Sequence, residues 1–150
     1  AGAYPGSKAE AEAALLALHR DLGLPVRIAR LAFVYGDGDP HLTEALAWAR
    51  GWPAHRRLHL VHHADVCRAL DVVLAPDGGA DGRVYNVADD APVTAWELLD
   101  RAGETAAADA AARPLDDPWA GIVATDRIRR ELGFRPRYPT LYAAEADAAL

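Results

Sequence analysis

The sequence predicts an α/β fold organised on parallel strands. An amphipathic helix over residues 9–22 leads through a short turn into a largely apolar stretch, residues 26–34, the helix–strand half of a parallel repeat. A glycine-rich loop, Tyr35-Gly36-Asp37-Gly38-Asp39-Pro40, follows that stretch directly, at the strand end where open α/β sheets place their ligands.

Taken in order, each element has a local cause. Ala11, Leu15, Leu18 and Leu22 form one stripe of the first helix, with Glu10, Glu12 and Arg20 mostly off it. Gly23 ends that helix and Pro25 prevents its continuation. Residues 41–50 form the next helix, with Leu42, Ala45, Leu46 and Ala49 at helical spacing and Asp37 or Asp39 available to cap it. Residues 58–62 read as a short strand. Asp65 is the expected cap of a helix over residues 66–74, whose stripe is Val66, Ala69, Leu70 and Val73. Gly78-Gly79-Ala80-Asp81-Gly82 is a turn into a strand over residues 83–87. Thr94 with Glu97 is a capping box opening a further helix. The alanine-rich residues 106–112 read as a helix extension or a loop, and two last helices, near residues 126–132 and 141–150, flank the Pro136–Pro139 break.

Composition bounds the function. The chain has 150 residues, about half of them apolar, enough for a soluble domain with a core. It contains no apolar run of membrane-spanning length and opens on no signal-like segment. A formal net charge of -6 without a basic run argues against nucleic acid. The lone Cys67 cannot close an internal disulfide and reads as a small core residue beside Val66 and Leu70, consistent with a reducing cytoplasm. His55, His59, His62 and His63 are the densest imidazole cluster, but on a strand His62 and His63 point to opposite faces, so no metal site is expected. Trp48, Trp52, Trp96 and Trp119 read as core, with Trp52 the candidate for a pocket wall.

The chemistry points to Tyr4 and Lys8. Lys8 is the sole lysine among 16 basic residues, four positions after a tyrosine in Tyr4-Pro5-Gly6-Ser7-Lys8. Residues four apart share a helix face, so the ammonium can approach the phenol. A nearby cation favours the phenolate, which suits a tyrosine for general acid/base work near neutrality. Lysine serves better than arginine because its charge is compact and carried on a flexible stem.

These residues open a series that resembles the extended short-chain dehydrogenase/reductase family, which includes NAD-dependent epimerases and dehydratases. The resemblance is carried in order by Tyr4-Pro5-Gly6-Ser7-Lys8-Ala9-Glu10-Ala11-Glu12, by Arg30-Leu31-Ala32-Phe33-Val34-Tyr35-Gly36-Asp37-Gly38-Asp39-Pro40, by Leu60-Val61-His62-His63-Ala64-Asp65-Val66, by Val84-Tyr85-Asn86-Val87, and by the tail Glu131-Leu132-Gly133-Phe134-Arg135-Pro136. It implies the C-terminal part of a Rossmann-type, doubly wound parallel sheet with a small substrate-binding subdomain. It also implies NAD or NADP as cofactor, Tyr4 and Lys8 as the catalytic pair, and Lys8 on the nicotinamide ribose. Leu31, Ala32, Phe33 and Val34 would border the nicotinamide beside Tyr4 and Lys8.

The resemblance covers the second half of the family's length. Gly36-Asp37-Gly38 lacks the third glycine of a pyrophosphate turn and adds acids where a phosphate would approach. The expectation is that the Gly-rich half, the helper Ser or Thr and the NAD-or-NADP determinant lie outside residues 1–150, and the resemblance allows a homodimer of the intact enzyme. Nucleotide-sugar members resemble Arg-Tyr-Phe-Asn at the strand end and carry an arginine two residues before the segment that matches Leu60 to Val66. Here Phe33 and Leu58 stand at those positions, forfeiting charge-assisted contacts of roughly 1.5–3 kcal/mol each. The expected substrate is therefore an apolar alcohol or ketone, hydroxysteroid- or flavonol-like. A nucleotide sugar is the alternative, and a non-catalytic binding fragment the rival from another class.

Overall fold

The computed structural model describes residues 3–76 and 81–150. Helix α1 (Ala3–Leu22) starts a full turn and more before the expected residue 9. Pro5 lies in its first turn, where a missing N–H costs nothing, and the Ser7 hydroxyl donates to the Tyr4 carbonyl. Gly23, at φ 70°, ends it as expected. The expected burial of the α1 stripe fails: no residue of the helix is buried, and Leu15, Leu18 and Leu22 are exposed. Among the described residues α1 is tied down instead by polar and end contacts. Arg30 forms a fork on Glu12, and the His19 ring lies so close over Gly82 that a Cβ there would come within 2.5 Å.

The extended stretch after α1 divides at Ala32 into β1 (Arg27–Leu31) and β2 (Phe33–Tyr35), where one strand was expected. The reason is a change of partner. β1 pairs in parallel with β5 (Arg83–Val87), Leu31 opposite Val87, whereas β2 pairs in parallel with β4 (Leu60–His62), Phe33 opposite Leu60. At the switch Ala32 donates to the Val87 carbonyl and Phe33 to that of His59. The parallel α/β character is thus present. A short antiparallel pair, β3 (Arg57–Leu58) with β6 (Val93–Thr94), completes the strands described.

β4 is buried at all three positions, as a strand covered on both faces must be. Its pleat sends Leu60 and Val61 into different cores. Leu60 joins Tyr35, Leu98, Leu99, Tyr138 and Leu141; Val61 joins Val73, Tyr85, Ile128 and Phe134. Helix α2 (His41–Ala49) follows its expected range and buries Ala45 and Ala49. Helix α4 (Ala95–Arg101) opens on the expected capping box of Thr94 and Glu97. Helix α5 (Asp126–Leu132) ends at left-handed Gly133, and α6 (Leu141–Ala146), capped by Thr140, is shorter than expected. Residues 106–112 are irregular and turn structure, the loop alternative.

Helix α3 (His63–Leu74) corrects three expectations. It starts at His63, and its cap is the His62 ring, which accepts the Ala64 N–H, rather than Asp65. Asp65 is fully buried and accepts the backbone N–H groups of Arg137 and Tyr138, fastening the C-terminal segment to the helix. Cys67 is exposed: the inward positions are Asp65, Ala69 and Val73, so a residue midway between the first two faces outward. Because the strand stops at His62, its pleat does not govern His63, and the two rings lie together with centroids 4.4 Å apart. Among the described residues no group of three or more His, Cys, Asp or Glu side chains could hold a metal ion.

The tryptophans also depart from the core reading. Trp48, Trp96 and Trp119 are exposed, and Trp52 is partly buried under the Arg56 guanidinium. Most of the glycine turn expected at residues 78–82 lies outside the described residues. No helix among the described residues is long and apolar enough to cross a membrane.

Candidate active site

The partner switch at Ala32 opens a cavity of about 720 Å³ beside the strand end. Tyr4, Leu31, Ala32, Phe33 and Val34 all line it, so α1 and the β1–β2 junction bring together five of the six residues singled out from the sequence. Lys8 is outside the lining. One helical turn on from Tyr4, its Nζ stands 5.3 Å from the centre of the Tyr4 ring. Tyr4 itself is 73% exposed, so its hydroxyl is open to a ligand.

The remaining wall is His41, Leu58, His59, Gly121 and Val123; of these the sequence had marked only Leu58, as the position where an arginine was missing. No Lys or Arg lines the cavity. His59 fastens this wall through four hydrogen bonds. Its backbone N–H donates to Gly121, its carbonyl accepts from Phe33, its Nδ1 accepts the Val123 N–H, and its Nε2 lies 3.1 Å from the Asp89 carbonyl. Since Val123 donates to Nδ1, the ring proton sits on Nε2. Nε2 is also 3.3 Å from a carboxylate oxygen of Asp89, whose other oxygen is buried without a partner among the described residues. Burial pushes the Asp89 carboxyl up, partly offset by His59. Gly121 is required by space and conformation: φ is +79°, and a Cβ would fall 2.0 Å from the Arg57 carbonyl oxygen.

His41 enters from the opposite side, at the start of α2. Its Nδ1 is 2.6 Å from Asp39 Oδ1, and the same oxygen accepts the His41 backbone N–H at 2.8 Å. Asp39 therefore holds the first turn of α2, as the sequence allowed, although Pro40 occupies the cap position itself. Phe33 meets the His41 ring edge-on at 6.1 Å. A histidine two residues after a capping acid was the one available signal for His41; Gly121 and Val123, far along the chain, offered none.

No protein-family model matches the chain. Among characterised proteins, the dTDP-glucose 4,6-dehydratase of Streptomyces niveus is 31% identical over 149 residues, covering 89% of this chain and 44% of that one. Among solved structures, the dTDP-glucose 4,6-dehydratase of Streptomyces venezuelae with NAD and TYD bound is 28% identical, with a TM-score of 0.66, covering 96% of this chain and 48% of that one. The enzyme of the same name from Bacillus anthracis, in complex with NAD, superposes with a TM-score of 0.68 at 22% identity, covering 98% of this chain and 53% of that one. The chain spans about half the length of these relatives. The chain is thus homologous to dTDP-glucose 4,6-dehydratase and folded like a Rossmann-type dehydratase, with structural neighbours in the extended short-chain dehydrogenase/reductase family.

Proposed function

We propose that this chain supplies the proton-transfer half of an NAD-dependent dehydratase or epimerase acting on a nucleotide sugar. The observation that carries the reading is the shared cavity: Tyr4 and the strand-end residues Leu31, Ala32, Phe33 and Val34 face one space. The nucleotide sugar follows from the relatives, which are dTDP-glucose 4,6-dehydratases.

The residues present fit the nicotinamide end of the cofactor and not its pyrophosphate. An apolar strand end beside an exposed tyrosine suits a flat ring, whereas the chain contains no Gly-rich turn of the required spacing. Bound there, NAD would accept a hydride from the substrate carbon. Tyr4 would take the proton of the alcohol oxygen as the carbonyl forms. The Lys8 ammonium beside its ring would favour negative charge on the phenol oxygen. Leu31, Phe33 and Val34 would exclude water from the reacting carbon.

A second reading, an apolar alcohol or ketone as substrate, is favoured by the lining itself. Phe33 and Leu58 lie on the cavity wall and no Lys or Arg does, so a diphosphate finds no cation there. The test is turnover by the complete enzyme, this chain together with the half bearing the Gly-rich turn, given NAD and either dTDP-glucose or a hydrophobic secondary alcohol. Formation of a dehydrated keto sugar supports the first reading; oxidation of the alcohol alone overturns it in favour of the second. The isolated chain should bind NAD no better than millimolar, about -4 kcal/mol. Quenching of its tryptophans at micromolar NAD would show that the pyrophosphate is held here after all.

A further inference from the structure

We propose that a pocket between β1, β5 and the start of α5 binds a phosphate-type oxyanion through the guanidinium groups of Arg30, Arg127 and Arg130. The site shares no residue with the cavity that Tyr4 lines, and it does not depend on which substrate that cavity takes.

The pleat puts this pocket on the sheet face away from the core beneath α3. Along β5, Tyr85 and Val87 enter that core with Val73 and Ile128, so Val84 and Asn86 face the other way. Arg30 lies opposite Asn86 in the β1–β5 register and shares its face. Arg127 and Arg130, three apart on α5, present their side chains on one side of that helix. Together with Ala124 and Asp126, these residues line a pocket of about 260 Å³.

Its cations keep donors in hand. A guanidinium carries five N–H donors. Arg30 spends Nε and Nη2 on Glu12, which leaves Nη1. Arg127 Nη1 donates to the Val84 carbonyl at 3.1 Å, and among the described residues Arg127 has no carboxylate partner. Arg130 Nη1 lies 2.6 Å from Asp126 Oδ2 in a pair open to water, which gives way to a ligand at little cost. Asn86 spends its amide on the Ala124 carbonyl, fixing the floor. Three guanidinium groups thus face two carboxylates, Glu12 and Asp126, in a chain whose formal net charge is -6. The local excess is positive where the chain as a whole is negative. A phosphate-type anion fits this arrangement because its tetrahedral oxygens accept from guanidinium groups on several sides, whereas a carboxylate lies in one plane and is satisfied by a single fork.

Calorimetric titration of the complete enzyme with inorganic phosphate at low ionic strength tests the site, with NAD present so that the cofactor's own phosphate positions are filled. The parent should bind phosphate here, and Arg127→Gln combined with Arg130→Gln should weaken that binding about tenfold or more. Arg83→Gln, on the same strand but outside the pocket, should leave it unchanged. Both α5 arginines are exposed, and an unaltered urea midpoint will show that the double variant is folded. Raising the salt to about 0.15 M should weaken binding to the parent, as screening of exposed charges requires. Acetate should bind at least tenfold more weakly than phosphate. Glycerol 3-phosphate in place of inorganic phosphate distinguishes the sources: tighter binding of the ester assigns the site to a phosphorylated metabolite, and equal or weaker binding assigns it to the free ion. No phosphate binding by the parent, equal binding by the double variant, or equal binding of acetate overturns the proposal.

Discussion

Replacing Tyr35 by phenylalanine should stabilise this protein, although it deletes a polar group. Tyr35 closes β2 with no exposed surface, its ring edge-on to His62 at 5.2 Å. Its hydroxyl has no hydrogen-bond partner among the described residues. Burial raises the phenol's pKa far above its ordinary value, and the nearby Asp89 and Asp65 raise it further, so the group stays a neutral hydroxyl. Leaving a buried hydroxyl unpaired costs about 1–3 kcal/mol. Tyr35→Phe removes that cost and keeps the ring contact, while the small void left by one oxygen takes back up to about 1 kcal/mol. The net gain should be about 0.5–2 kcal/mol, or a rise in Tm of about 2–4 °C per kcal/mol for a chain of this size. Urea unfolding with an unchanged m-value is the assay. A loss of about 1 kcal/mol or more would show that the hydroxyl has a partner and that the reasoning is wrong.

Other substitutions separate structural from chemical roles. Asp65→Ala strands the N–H groups of Arg137 and Tyr138, which lie 2.6 and 2.9 Å from its carboxylate, and should cost about 3 kcal/mol or more, read as a lowered urea midpoint. Asp89→Asn tests a pH effect. A carboxyl whose folded pKa is raised binds its proton more tightly when folded, so its contribution favours folding below the unfolded-state value and erodes as pH rises through the folded one. The variant should therefore gain stability relative to the parent on going from acidic to neutral pH; parallel stability–pH curves would contradict this. In the complete enzyme Tyr4→Phe should reduce turnover about 10²-fold or more while leaving the unfolding midpoint nearly unchanged, since an exposed side chain loses only its hydroxyl. Lys8→Arg should not rescue the turnover lost in Lys8→Met, because a planar fork does not reproduce a point charge. Equal activity of Lys8→Arg and the parent would disconnect Lys8 from the chemistry.

What the sequence determined by itself is everything set within a few residues along the chain. The capping box of Thr94 and Glu97, the glycine stop after α1, and the spacing of Tyr4 and Lys8 on one helical face are local rules, and each is present as read. The strand-end residues Leu31, Ala32, Phe33 and Val34 were placed by the glycine loop that follows them and by family resemblance, and they do border the cavity with Tyr4. Only the tertiary structure decided which partners those elements take. The division of one extended stretch at Ala32 depends on β4 and β5, roughly thirty and fifty residues further on, and no periodicity within residues 26–34 encodes it. Asp65 looked like a helix cap because its neighbours are helical, yet the donors that claimed it, on Arg137 and Tyr138, lie more than seventy residues away. The α1 stripe has the right period for burial, but period specifies only that a face is apolar and not that another element covers it. The cavity wall of His59, Gly121 and Val123 has the same origin, since hydrogen bonds between distant backbone segments assembled it. Local geometry is written in adjacent side chains; the choice among distant partners is made by packing and by satisfying buried polar groups, which exist only once the chain has folded.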